Sequence, residues 1–106
     1  MIEHFEEKIL SIFGLEAEYF DSEYTQWVYK FRCKGLMLEF IYSLDGTIST
    51  SLYFNDDLVF FCFASGLVNL YMEDNKIYGD VISGKLKRKL EIDPLHIKVK
   101  WEDTFL

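Results

Sequence analysis

The hydrophobic pattern changes period near Thr25, and that change limits what the chain can fold into more than any other feature. Before it, Ile2, Phe5, Ile9, Ile12 and Phe13 recur at helical spacing. Glu3, Glu6, Glu7 and Lys8 fall mostly off that face, and early acids suit a helix dipole. The spacing predicts a helix over 2–13, with Gly14 at the left-handed position that follows a helix end. After it, Trp27, Tyr29, Phe31 and Cys33 alternate with Gln26, Val28, Lys30 and Arg32. Period two means a strand with one apolar and one polar face.

Turn signals then punctuate the chain about every 8–12 residues, the spacing of a β meander. Gly35 ends the first strand. Asp45-Gly46 suits a type I′ hairpin turn, in which both central residues need positive φ. It predicts a hairpin of Leu36–Leu44 with Thr47–Phe54. Asn55-Asp56-Asp57, Ser65-Gly66, Asp74-Asn75, Ser83-Gly84 and Asp93-Pro94 mark the later breaks. Leu58–Ala64 is apolar at every position and predicts a central strand covered on both sides. Leu67–Met72 and Lys76–Ile82 follow, with Gly79 as a candidate bulge. Leu86, Arg88, Leu90 and Ile92 share one face of the next strand. Leu95, Ile97, Val99 and Trp101 share one face of the last.

The expected fold is mainly β (α+β): an N-terminal helix, then an antiparallel meander of about seven or eight strands over 17–103. The meander is expected to curve or partly close into a barrel, with residues 1–106 forming a single domain. Ten Phe, seven Tyr and two Trp supply the side chains that pleated, half-buried surfaces favour. The two cysteines, Cys33 and Cys62, lie in apolar runs and read as reduced core thiols. The N-terminus lacks a basic, then apolar, leader, and no apolar run approaches membrane-spanning length, so a cytoplasmic location is expected.

Charge narrows the partners. Eighteen acids against eleven bases give a net −7. Direct nucleic-acid binding needs clustered cations, and an anionic membrane repels acids, so neither is expected. The balance is uneven: residues 1–24 carry seven acids and one lysine, 55–80 five acids and one lysine, 81–106 six bases and four acids.

Motifs for catalysis are weak. Gly79 to Lys85 has the spacing of a phosphate-binding loop, but Leu86 stands where Ser or Thr would hold magnesium, and a strand pattern follows where a helix is needed. His4 and His96 are isolated, and the Asp74–Asp80 stretch lacks calcium-loop spacing. No catalytic residue, metal or cofactor is assigned, and a non-enzyme is expected. The segment 16–24 interleaves Glu16, Glu18, Asp21 and Glu23 with Tyr19, Phe20 and Tyr24. Acids beside aromatic anchors suit a protein interface, although a charged edge strand is the commoner reason for such a pattern.

This combination of size, charge and strand order resembles the immunity proteins of bacterial contact-dependent growth inhibition and related polymorphic toxin systems. The resemblance implies a cofactor-free protein that neutralises a cognate basic toxin domain, a nuclease, by covering its active-site cleft. The contacts then expected are Glu16, Glu18, Tyr19, Asp21, Glu23, Tyr24, Asp56, Asp57 and Asp74. The alternative is a β-barrel holding a small apolar ligand among Phe31, Phe40, Phe54, Phe61 and Tyr71. A homodimer joined at a sheet edge is a third reading.

Overall fold

The computed structural model describes residues 19–21 and 26–105. The expected helix over 2–13, and Glu16, Glu18, Glu23 and Tyr24, lie outside the described residues. Nine strands are described: β1 (Tyr19–Asp21), β2 (Gln26–Cys33), β3 (Leu36–Ser43), β4 (Thr47–Phe54), β5 (Asp57–Ser65), β6 (Leu67–Glu73), β7 (Lys76–Ser83), β8 (Leu86–Asp93) and β9 (Lys98–Phe105). All pair antiparallel with their sequence neighbours, but in two sheets: β1-β2-β3-β4-β5 and β6-β7-β8-β9. The described strands therefore do not close into a barrel.

Register explains the layers. Tyr29, Phe40, Thr50 and Cys62 form one row across the first sheet, and Trp27, Tyr42, Ile48 and Ala64 the next. This is the inner face: Tyr29, Phe40, Tyr42 and Ile48 are buried on it, and Trp27 is partly buried against them. Trp27 stacks on Tyr42 at 5.2 Å between centroids, and Phe40 on Tyr42 at 5.8 Å. In the second sheet Leu70, Gly79, Leu90 and Trp101 form the facing row. Trp101 Nε1 donates to Thr50 Oγ1 at 3.1 Å, so a buried hydroxyl and an indole are paired across the sheets. Gly79 is not a bulge. Its missing side chain lets Ile48 Cδ1 approach to 3.5 Å of where a Cβ would stand.

The two sheets are joined at Gly66. Its φ of +99° lies in the left-handed region, and a Cβ there would stand 2.3 Å from the Ile82 carbonyl oxygen. The amides of Gly66 and Leu67 both donate to Gly46 O, at 3.0 and 2.9 Å, and Ile82 N donates to Gly66 O at 2.9 Å. Ser65-Gly66 thus moves the chain from one sheet to the other rather than closing a hairpin.

Three local expectations are corrected. Asp45-Gly46 is not a type I′ turn: Gly46 has φ +89°, but Asp45 does not have positive φ. Gly46 N donates to Ser43 O, and the Asp45 carboxylate accepts from Ser43 Oγ, Thr47 Oγ1 and Thr47 N. Those bonds stabilise a three-residue loop with one left-handed glycine. They also hold the Asp45 carboxyl below its usual pKa, the Ser43 hydroxyl contributing most. The pairs with two positive-φ residues are Lys34-Gly35, Asn55-Asp56 and Asp74-Asn75. Second, the last strand starts at Lys98, not Leu95. The Asp93 carboxylate accepts from Leu95 N, His96 N and His96 Nδ1, which winds 94–97 into a turn. Leu95 is exposed while Ile97 is buried. Third, Leu58–Ala64 lies in an edge strand, not a central one.

Candidate protein-binding surface

β5 is the last strand of its sheet, and among the described residues no strand pairs with its outer edge. Between Asp57 and Ser65 it carries no charged or hydroxyl side chain. Leu58, Phe61 and Phe63 sit in register with Tyr53, Ser51 and Ser49 of β4, facing away from the second sheet. Val59 is the extra residue where the register shifts. These four side chains are 54–58% exposed, and inward-facing Phe60 is 39% exposed. A contiguous apolar strip of this kind marks an interaction surface.

Acids stand at the head of the strip. Asn55 and Asp56 form the β4–β5 turn with φ of +49° and +69°, conformations Asn and Asp tolerate better than most residues. Asp56 and Asp57 are exposed, and neither makes an ion pair with a described residue. Asp74 is likewise exposed in the β6–β7 turn, again without an ion pair to a described residue. Other carboxylates are already engaged. Asp103 accepts from Arg88 Nε at 3.0 Å, Glu91 faces Lys76 at 3.8 Å, and Glu102 faces Lys100 at 3.3 Å. The basic residues of the last two strands are thereby spent partly on local acids.

The expected contacts do not all converge. Tyr19 pairs with Val28 and Asp21 with Gln26, which places both on β1, at the opposite edge from β5. Four strand spacings, roughly 19 Å, separate those edges. Asp57 pairs with Phe54, near the other end of the strands. Asp56 and Asp57 stand at one edge of the first sheet, Tyr19 and Asp21 lie on the strand at the other edge, and Asp74 is in a turn of the second sheet. Sequence reasoning missed the strip itself, because a wholly apolar run reads as interior. The signal was its position between a turn rich in acids and the junction glycine.

The five aromatics proposed to line a ligand cavity do not surround one space. Phe31 and Phe40 are in the core, Phe54 and Phe61 are exposed, and Tyr71 stacks on Tyr78 at 5.3 Å, in the row beside that of the inward-facing Leu70. A hollow of about 400 Å³ lies at the β2–β3 turn, lined by Arg32, Cys33, Lys34, Met37 and Asp56, and is open to solvent. Gly84 is followed by strand β8, so the Gly79–Lys85 segment lacks the helix that phosphate binding requires. Among the described residues no three His, Cys, Asp or Glu side chains gather as metal ligands. Cys33 and Cys62 are free and half-buried, with Arg88 Nη2 4.0 Å from the Cys62 sulfur.

No family model matches the chain, and no curated protein matches it in sequence. Among solved structures it is similar to a chain of the contact-dependent growth inhibition toxin–immunity protein complex from Klebsiella pneumoniae 342. The TM-score is 0.80, the identity 24%, and the match covers 93% of each chain. What is shared is the fold, over nearly the whole length of both chains.

Proposed function

We propose that this chain is an immunity protein: it binds a cognate basic toxin domain, a nuclease, in the cytosol and covers its active-site cleft. The observation that supports this most is the fold likeness, over 93% of each chain, to a chain of a toxin–immunity complex. The charge agrees with it. A nuclease holds phosphate with clustered cations. A chain of net −7 with carboxylates that no described cation neutralises is suited to oppose such a cleft. Complementary charge speeds the encounter, and apolar contacts at the centre slow release.

The test is co-expression with a candidate toxin domain sought in the gene next to that of this chain. Restored growth, and a stable complex whose formation slows as salt is raised, are the expected results. Continued killing with the chain present at equal level, and no complex on gel filtration, would remove the reading.

A further inference from the structure

We propose that the open edge of β5, with Asp56 and Asp57 at its head, receives the partner. The partner segment is extended and apolar, bordered by lysine or arginine, and belongs to a basic protein. That this protein is a toxin rests on the function proposed above; the chemistry of the surface does not.

The argument begins with how sheets protect their edges. Exposed edges are blunted by short length, charges or a cover, because free amides and carbonyls invite another strand. β1 has three residues, and β9 carries Lys98, Lys100, Glu102 and Asp103. β5 has nine residues, and from Leu58 to Ala64 it has no charge at all. Its single device is the register shift at Val59, which leaves Phe60 to Ser65 in regular register with β4. Phe61 and Phe63 point outward along that stretch, 58% and 54% exposed. An added strand would find hydrogen-bonding groups along the edge and two aromatic side chains on which to pack alternate residues.

Charge selects the occupant. The acids that meet the strip, Asp56 and Asp57, have no described cationic partner, so cations beside an incoming segment gain attraction without displacing an existing pair. A second copy brings another net −7 to the same edge and is repelled at low salt. Interfaces of this type combine an apolar, aromatic centre with polar surroundings, and here the acids lie at one end of the aromatic strip.

The experiment uses the full chain and a labelled short peptide alternating threonine with valine and phenylalanine, with two lysines at each end. Fluorescence anisotropy should show binding, about tenfold weaker when glutamates replace the lysines. N-methylation of alternate amides on the strand-facing side should abolish it. Phe61→Lys should lose binding and keep its thermal midpoint within about 3 °C, since the side chain is exposed. Four results would each overturn the proposal. The peptide does not bind, or binds equally with either flank. Sedimentation shows a wild-type dimer that Phe61→Lys dissociates, making a second copy the occupant. Phe61→Lys and Phe63→Lys both melt many degrees lower, showing that the chain covers this strip itself. Finally, Phe61→Lys protects cells from a toxin that the wild-type chain neutralises, as well as wild type does, which removes this surface and leaves the immunity reading standing. Peptide binding by a wild-type chain that gives no protection removes the immunity reading and leaves the surface.

Discussion

β5 and β9 are both edge strands of comparable length, one in each sheet, yet they treat water differently. β9 alternates Val99 and Trp101 with Lys98, Lys100 and Glu102, and its inward tryptophan is held by Thr50 of the other sheet. Arg88 crosses the Trp101 ring at 5.2 Å and grips Asp103. Its edge is charged and its inner face is tied down. β5 has neither feature between Leu58 and Phe61. The difference teaches that apolar content does not decide whether a strand is interior. What matters is whether something is present to cover it, and β5 holds apolar surface in reserve.

Four substitutions break or sharpen that contrast. The largest effect is expected where the two sheets meet. Gly66→Ala puts a methyl against the Ile82 carbonyl in a left-handed conformation, and should cost about 4 kcal/mol in chemical denaturation. A loss below about 1 kcal/mol would mean that the junction re-forms around the clash. Trp101→Ala, on the protected edge, should cost about 2.5 kcal/mol through lost packing and the orphaned Thr50 hydroxyl. Phe61→Ala, the same kind of truncation on the open edge, should cost no more than about 0.5 kcal/mol. Equal losses at Trp101 and Phe61 would erase the distinction between the edges.

The smallest effect concerns pH. Burial pushes the Asp93 carboxyl up, but hydrogen bonds from the His96 side chain and amide, with the nearby imidazole charge and Leu95 N, outweigh it and leave its pKa lowered. A carboxyl with a lowered folded-state value stabilises the fold above its unfolded value, here near 3.8, and loses that contribution as pH falls through the folded value. Asp93→Asn should therefore flatten the acid limb of a stability–pH curve below pH 3.8 and leave β5 peptide binding unchanged. An acid limb identical to wild type would show that the Asp93 turn does not hold the entry to β9.

Much of the strand content was legible because alternation is a local property. Trp27 to Cys33 and Leu86 to Ile92 display their faces in the order of their residues. The split into two sheets was not legible. Ser65-Gly66 has the composition of any turn, and only the approach of Ile82 and the double donation to Gly46 O show that it changes sheet. The Asp45-Gly46 loop was misread because its carboxylate bonds, which depend on Ser43 and Thr47 standing in place, outweigh the dipeptide preference. Leu95 was misread because period two continues in the sequence through a turn that the Asp93 side chain imposes. For the candidate surface, Asp56 and Asp57 were visible as unmatched acids, while the strip beside them was hidden by its own hydrophobicity. Asp21 was grouped with them by sign of charge and Tyr19 as an aromatic anchor beside it, and neither ground carries information about which sheet edge a residue reaches.

Every pairing in both sheets joins strands adjacent in the chain, and the crossing at Gly66 is the single covalent link between the two described sheets. Contacts that are near in sequence cost little loop entropy to close, so this topology favours rapid assembly over that of an interleaved sandwich. During synthesis the first sheet can zip up hairpin by hairpin before the ribosome has released the second. For that interval the inner face that carries Ile48, Thr50 and Ala64 waits without the side chains that will cap it, and the speed with which residues 67–105 arrive sets how long the nascent molecule is exposed to clumping.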